Sequence, residues 1–363
     1  MKILYIKYKN EENSGGNIVS KRNFISITDV VGVQNTINYE ISRKKNQKTL
    51  LSVCYDHFID FINLNLVGLT RKQTNEIISI IMTNPQINIV FLDNSLLGFL
   101  GRKIKKRFPK IKIITFFHNV EYIFYKQGTY INKRYYLFYR IPYAYFSEKC
   151  ACRFSDKIVV LNKRDKIFVN KYYNRDSDAI IPVTIKDKYT QNSSDIKDTN
   201  DKIALFVGSY FYPNIQGISW FVENVLPFTD IKLWIVGNGM NKLQHIANNI
   251  SNVEIFDNVP DLTYYYDNAN FVVLPLFSGS GMKVKTAEAL MFGKYIIGTD
   301  EAFTGYDICE KAGKICNNAE EFVVAIKQFN SKNKFNSEAR KIFIEKYSNE
   351  SSLPIFEKIL KDI

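Results

Sequence analysis

Short apolar runs alternate along this chain with stretches whose apolar residues recur at helical spacing. "KILYIKY" opens it, and "TLLSVCY", "INIVFLD", "IKIITFFHN" and "DKIVVLN" follow, each rich in β-branched or aromatic residues. Helical patterns occupy 71–84, 95–108 and 135–154 between them. Strand and helix in turn imply a parallel sheet covered on both faces. Near residue 185 the texture changes. "IKDKYTQNSSDIKDTNDK" has no apolar period, and 185–202 reads as a linker. The alternation then restarts with "IALFVGS", "KLWIVGN", "VEIFDNV", "FVVLPLF" and "YIIGTD". The expectation is an α/β chain of two parallel-sheet domains, 1–184 and 203–345, with a C-terminal helix at 346–363 that returns to the first.

A length of 363 residues is ample for two cores. The composition, 46% hydrophobic and 23% charged, excludes a disordered chain. Lys and Arg number 49 against 36 Asp and Glu, a formal +13, which calls for an anionic partner. Five scattered cysteines suit a reducing compartment, and Cys150 and Cys152 match no zinc-ligand spacing. The first apolar run is too short for a signal peptide, and no stretch has the roughly 18 uninterrupted apolar residues of a membrane span. The expected protein is soluble or rests on a surface.

The chemistry concentrates in "LFSGSGMKVKTAEALMFGK", Leu276 to Lys294. A strand ends there, small residues Gly279, Ser280 and Gly281 follow, and Lys283 to Phe292 reads as a helix that Gly293 stops. Small residues before a helix let an anion approach its first N–H groups, where the helix dipole favours negative charge. Lys283 and Lys285 add positive charge, so the stretch describes a phosphate or diphosphate cradle. Glu288 shares a helical stripe with Gly281 and Lys285, roughly 10 Å along the axis from the glycine. It suits the two hydroxyls of a ribose; the plainer alternative is a surface pair with Lys285. A hydride-transfer enzyme needs G-x-G-x-x-G after the first strand, and "KNEENSGGNIVSKR" lacks it.

"LFVGSYFYPNIQGISWFVENVLP" followed by "LPLFSGSGMKVKTAEALMFGKYIIGT" resembles the C-terminal half of family 4 glycosyltransferases, the retaining GT-B enzymes. "FFHNVEYIFY" and "SEKCACRFSDKIVVLNKRD" are similar to their N-terminal half. The resemblance implies two Rossmann-like domains facing across a cleft, a nucleotide-sugar donor held mainly by the second, and no metal or other cofactor. It places Glu288 at the second glutamate of the family's Glu-x7-Glu motif, on the donor ribose. The first glutamate falls at Ser280, a departure. The usual Arg and Lys after the first C-terminal strand are also missing from "GSYFYPNIQG", which leaves Lys283 and Lys285 to neutralise the diphosphate. By the same resemblance Gly208 and Ser209 keep that loop's backbone approach, Met282 lies in the donor loop, and Gly15 and Gly16 match the N-terminal glycine loop that reaches the donor phosphate and the reacting sugar.

His118 ends the strand "IKIITFFH" at its carboxyl end, where open parallel sheets bind ligands. It is placed to hydrogen-bond the transferred sugar or the acceptor hydroxyl. His57 and His245 read as structural. "GRKIKKRFPKIK" carries seven Lys or Arg at 102–112, and 121–146 interleaves aromatics with Lys126, Lys133, Arg134 and Arg140. Both suit an anionic lipid surface, while single-stranded nucleic acid is the rival partner for such a face.

The expected protein is therefore a retaining, metal-independent glycosyltransferase of hexosyl type. It would move a sugar from a nucleotide-sugar donor to a glycan or lipid-linked glycan in surface polysaccharide synthesis. It is expected in the cytoplasm, peripheral on the inner face of the cell membrane, without nucleic acid as a partner. The alternatives are a GT-B-type nucleotide-sugar epimerase, which needs further carboxylates for C–H deprotonation, and a basic nucleic-acid-binding protein.

Overall fold

The computed structural model describes residues 1–9, 15–42, 69–131, 138–190, 201–247, 250–279, 281–329 and 334–363. They divide into two compact units, Met1–Ile181 with Ser352–Ile363, and Pro182–Ser351.

The strands of unit 1 are β1 (Lys2–Tyr8), β2 (Thr36–Ile41), β3 (Ile87–Leu92), β4 (Lys112–Phe117), β5 (Lys157–Val160) and β6 (Ala179–Ile180). All pair in parallel in the order β2-β1-β3-β4-β5-β6. The helices are α1 (Gly15–Val31), α2 (Arg71–Thr83), α3 (Gly98–Arg107), α4 (Glu121–Ile131), α5 (Arg140–Phe154) and α6 (Lys163–Tyr173). Local chemistry sets their ends. Thr70 and Gln73 form a reciprocal capping box on α2. Asn162 caps α6 through the Asp165 N–H, and Asn174, left-handed at φ 51°, stops it.

Unit 2 contains β7 (Ile203–Val207), β8 (Lys232–Gly237), β9 (Val253–Asp257), β10 (Phe271–Leu274), β11 (Tyr295–Gly298) and β12 (Gly313–Ile315). They too are parallel, in the order β12-β11-β10-β7-β8-β9. Its helices are α7 (Tyr212–Asn224), α8 (Gln244–Ala247), α9 (Thr263–Asn268), α10 (Val284–Met291), α11 (Asp300–Phe303), α12 (Ala319–Gln328) and α13 (Ser337–Ile342). The last helix, α14 (Asn349–Lys361), carries the chain out of this unit, and its buried Phe356, Ile359 and Leu360 belong to unit 1. Every residue of β7 and β10 is buried, as central strands covered on both faces must be.

Three strands escaped the periodicity: β2, β6 and β12. All lie at sheet edges, where β2 is only half-buried and β6 and β12 have two and three residues, too short for an apolar run. The expected strand "TLLSVCY" lies outside the described residues. The helix expected at 95–108 divides into a tight turn at Ser95–Leu97 and α3.

The linker expected from residue 185 begins later than its polarity suggested. Ile185 exchanges backbone hydrogen bonds with Tyr347 and Asn349, at 3.0 and 3.1 Å. Asp187 pairs with Arg340, which also donates to Met291 O at 2.8 Å. Although partial burial opposes ionisation, the Arg340 guanidinium holds the Asp187 carboxyl below its ordinary range. The missed signal is the alternation of Ile181, Val183 and Ile185, all buried. Residues 191–200 lie outside the described part.

Candidate functional site

In the second sheet β7 and β10 are neighbours, β8 and β9 extend from one side, and β11 and β12 from the other. Right-handed crossovers therefore send the helices after β7 and β10 to opposite faces. The switch in strand order thus falls between β7 and β10, and the carboxyl ends at such a point are where open α/β sheets take ligands.

Both turns meet at Lys285, in the first turn of α10. Its Nζ donates to Asn214 Oδ1 on α7 at 2.6 Å and lies 4.7 Å from the centre of the Phe206 ring. Asn214 Nδ2 in turn donates to Ser209 O at 2.8 Å. A Cβ on Gly208 would stand 2.9 Å from both Lys285 Nζ and Asn214 Nδ2, so a side chain there would push one of them aside. Burial pushes the Lys285 ammonium down to about 7; the Glu288 charge opposes that shift and Lys283 reinforces it. The N–H of Gly208 is spent on Val236 O at 2.9 Å, so this glycine serves the lysine rather than offering a donor to a ligand.

The β10–α10 turn has positive φ at Gly279 (129°) and Gly281 (63°), and among the described residues the N-cap Lys283 gives α10 no side-chain cap. The first N–H groups of a helix have no partner within it, so an uncapped start suits an anion. Lys283 Nζ donates to Gly281 O at 3.0 Å and to Glu301 Oε1 at 2.6 Å. Met282 is buried, and its sulfur accepts the Val183 N–H at 3.3 Å. Its part is to seat the turn. Ser280 lies outside the described residues.

Glu288 is half-buried on α10 rather than exposed in a surface pair; the nearby lysine is bonded to Asn214 instead. Burial pushes the Glu288 carboxyl up, while Lys285, Lys188 and the hydroxyl of buried Tyr266 pull it back. The structure thus brings Gly208, Ser209, Gly279, Gly281, Met282, Lys283, Lys285 and Glu288 together in unit 2.

His118, Gly15 and Gly16 belong to unit 1. Gly15 and Gly16 are exposed at the start of α1. His118 follows β4, buried against the edge of Phe116, with Nε2 at 3.0 Å from Asp93 O and 3.2 Å from Asp93 Oδ1. Two oxygen acceptors at one nitrogen require Nε2 to carry the proton. Asn23 Nδ2 donates to the same Asp93 oxygen at 2.7 Å. Burial of Asp93 opposes ionisation, yet His118, Ser20 and Asn23 together hold its carboxyl below the ordinary range. His118 Nδ1 is buried and meets no hydrogen-bond partner among the described residues.

Sequence reasoning missed Asp93, Asn214 and Glu301. Asp93 had a signal, an acid closing the apolar strand "INIVFLD"; Asn214 and Glu301 are ordinary polar residues until the turns meet. His245 is exposed on α8, its Nδ1 3.0 Å from Lys242 O, and His57 lies outside the described residues. The basic run 102–112 is not a uniform exposed face. Lys105 Nζ bonds Ile111 O at 2.9 Å and Asp156 Oδ2 at 2.7 Å, and Lys112 adds an ion pair to Asp156 at 3.5 Å. In the aromatic run, Tyr122 and Tyr145 pack on each other and on Tyr172 and Tyr173, while Phe138 and Phe146 are exposed. Lys133 and Arg134 lie outside the described residues. Among the described residues, no helix is long and apolar enough to cross a membrane.

Residues 201–331, the segment that contains the unit 2 site, match the family described as glycosyl transferases group 1. An uncharacterized 44.6 kDa protein in the cps region of Klebsiella pneumoniae is 25% identical over 232 residues, 57% of this chain and 54% of that protein. The chain thus spans about half the length of that curated relative. Among solved structures, Anabaena HepE in complex with UDP-glucose superposes with a TM-score of 0.67 at 10% identity, covering 100% of both chains. A glycosyltransferase from Rickettsia africae gives 0.66 at 16% identity, over 99% of this chain and 98% of that one. The lipopolysaccharide outer core galactosyltransferase WaaB gives 0.65 at 13% identity, over 99% and 100%. A segment of unit 2 thus matches the group 1 glycosyltransferase family, and the two parallel sheets have the fold of GT-B glycosyltransferases.

Proposed function

We propose that this chain is a retaining, metal-independent hexosyltransferase of family 4 type that uses a nucleotide sugar to extend a glycan or lipid-linked glycan. The observation that carries this reading is the meeting of two turns on Lys285 at the β7/β10 switch point, beside an uncapped helix start. Departure of a nucleoside diphosphate concentrates negative charge there. Lys283, Lys285 and the first N–H groups of α10 stabilise it in the transition state, without reorganisation at the moment of reaction. Glu288 accepts the ribose hydroxyls further along the helix. In unit 1, His118, its ring set by Asp93, is the proposed hydrogen-bonding group for a sugar or acceptor hydroxyl, with Gly15 and Gly16 at the start of α1 as the proposed phosphate contacts. Retention asks for no protein nucleophile when the acceptor attacks on the face the leaving group vacates.

HepE was crystallised with UDP-glucose, so a UDP-hexose is the first candidate donor. The cps-region relative supports a role in surface polysaccharide synthesis. Thermal shifts with UDP, GDP and ADP and their hexose conjugates test the donor class: one family should raise the melting temperature in the presence of a chelator. Product analysis then separates transfer from epimerisation of the donor alone. If none of these nucleotides stabilises the protein and a nucleic acid binds with steep salt dependence instead, the reading is wrong.

The acceptor side is proposed to work at the cytoplasmic face of an anionic membrane. Arg102, Lys103, Lys106 and Lys110 are exposed, unlike Lys105, and each contributes about 1 kcal/mol near an anionic surface. Vesicles with anionic lipid should sediment the protein at low salt, and reversal of these four residues to Glu should release it. Wild type left in the supernatant at low salt would remove the membrane from the account, and equal sedimentation of both proteins would remove these four residues from it.

A further inference from the structure

The lysine expected to neutralise a diphosphate already holds a carboxylate. Lys283 Nζ and Glu301 Oε1 are 2.6 Å apart, with side chains only 13% and 19% exposed. That is a costly choice for a pure anion site, because a second negative charge on the same lysine repels the phosphate it should attract. The turn itself, Leu276 to Lys283, contains no acidic residue. Glu301 arrives from elsewhere, on α11 after β11, and lies on the side of Gly279 that a Cβ would take: that Cβ would stand 3.4 Å from Lys283 Nζ and 4.0 Å from Glu301 Oε1.

The placement is held firmly. Thr286 Oγ1, in the first turn of α10, donates to Ala302 O at 2.8 Å, next to Glu301. Tyr306 OH donates to Lys283 O at 2.7 Å. Thr299, which closes β11, donates through its N–H to Leu274 O at 3.2 Å, so α11 starts directly beside the end of β10. The lysine and the carboxylate therefore sit on one rigid frame, with the charges side by side at the mouth of the turn. A ligand with phosphate on one side and hydroxyls on the other matches that arrangement: the ammonium faces the phosphate and the carboxylate accepts O–H donors, in strong charge-assisted hydrogen bonds.

We propose that Glu301 is a specificity-determining residue that binds hydroxyls of the sugar attached to the diphosphate. It would supply from α11 a carboxylate that the stretch Leu276 to Lys283 does not carry. The proposal rests on the glycosyltransferase reading of the same site, and the experiment separates the two. Calorimetric titration compares UDP, GDP and ADP with UDP-glucose, UDP-galactose, UDP-N-acetylglucosamine, GDP-mannose and ADP-glucose. The tightest nucleoside diphosphate and its tightest conjugate are then measured on Glu301→Gln. The variant should bind the nucleoside diphosphate as well as wild type or up to severalfold tighter, while its affinity for the sugar conjugate falls at least fivefold and turnover falls with it. An unchanged ratio of conjugate to diphosphate affinity, or an equal loss of both, overturns the proposal and leaves Glu301 as a support for Lys283. If Glu301→Gln melts early, Glu301→Asp keeps the charge one methylene shorter and is read by the same ratio. If wild type binds none of the nucleotides, the glycosyltransferase reading itself fails, and the assignment of Glu301 with it.

Discussion

The two units end their central strands in opposite ways. In unit 1 the polar groups at the strand ends are buried and bond to one another. Asp93 meets His118 and Asn23, and Glu148 on α5 takes hydrogen bonds from Ser95 Oγ, the N–H groups of Glu121 and Tyr122, and Tyr173 OH, at 2.9, 2.7, 3.2 and 2.5 Å. Burial pushes Glu148 up to about 8 despite those donors. In unit 2 the corresponding groups are half-buried cations on exchangeable acceptors, Lys285 on an amide carbonyl and Lys283 on a carboxylate and a backbone oxygen. The first arrangement fixes a frame. The second leaves charges that an incoming anion can share with little cost in fold, because few acceptors among the described residues hold them.

The largest expected effect breaks the frame. Asp93→Ala removes the carboxylate beside His118 and beside the buried Arg22 guanidinium, whose ionisation burial opposes and Asp93 supports. Stranding a buried charge costs about 3–5 kcal/mol, read as a shift in the denaturant midpoint. A midpoint within experimental error of wild type would mean that the cluster is not the rigid element described here.

A smaller effect belongs to the exchangeable side. Glu288→Gln keeps size and helix propensity but loses the charge that accepts two hydroxyls. Nucleotide-donor affinity should fall by about 1.5–3 kcal/mol, the range for hydrogen bonds to charged groups, with the melting temperature unchanged or slightly raised. If donor affinity is unmoved, Glu288 only balances the lysines near it.

The smallest effect is a pH dependence, and its sign follows from Lys285. Burial places the free ammonium at about 7, and a bound diphosphate favours its protonated form. Binding therefore takes up a proton, and affinity should fall as pH rises. Between pH 7 and 8, where the terminal phosphate (second pKa about 6) is already mostly ionised, the loss should be about fivefold. A flat profile would place a permanently charged or permanently neutral amine at the site.

The sequence made this contrast only partly legible. Central strands announced themselves because burial on both faces writes a continuous apolar run, and "FVVLPLF" with the glycines after it located the turn. Edge strands such as β12 bury too little to leave a pattern. Lys283 and Lys285 were visible as charges, but their partners Glu301 and Asn214 come from elements 18 and 71 residues away. Nothing local in "TDEAF" or "YPNIQ" marks them. Asp93 could be seen closing a strand, yet its role depends on His118, one strand further on. The run 102–112 shows the converse: periodicity put Lys105 on a helix but gave no hint that Asp156, on the neighbouring turn, would claim it.

The central claim is that a diphosphate, rather than a nucleoside alone, is recognised where the β7 and β10 turns meet on Lys285. Calorimetric titration of the best-binding nucleoside diphosphate and its parent nucleoside into wild type and Lys285→Ala tests it directly. Wild type should prefer the diphosphate clearly, and the variant should lose about 10- to 100-fold of that affinity, as loss of a charge-assisted hydrogen bond predicts, while nucleoside binding stays within twofold. A variant that keeps the full preference, or that loses nucleoside and diphosphate affinity equally, would contradict the account.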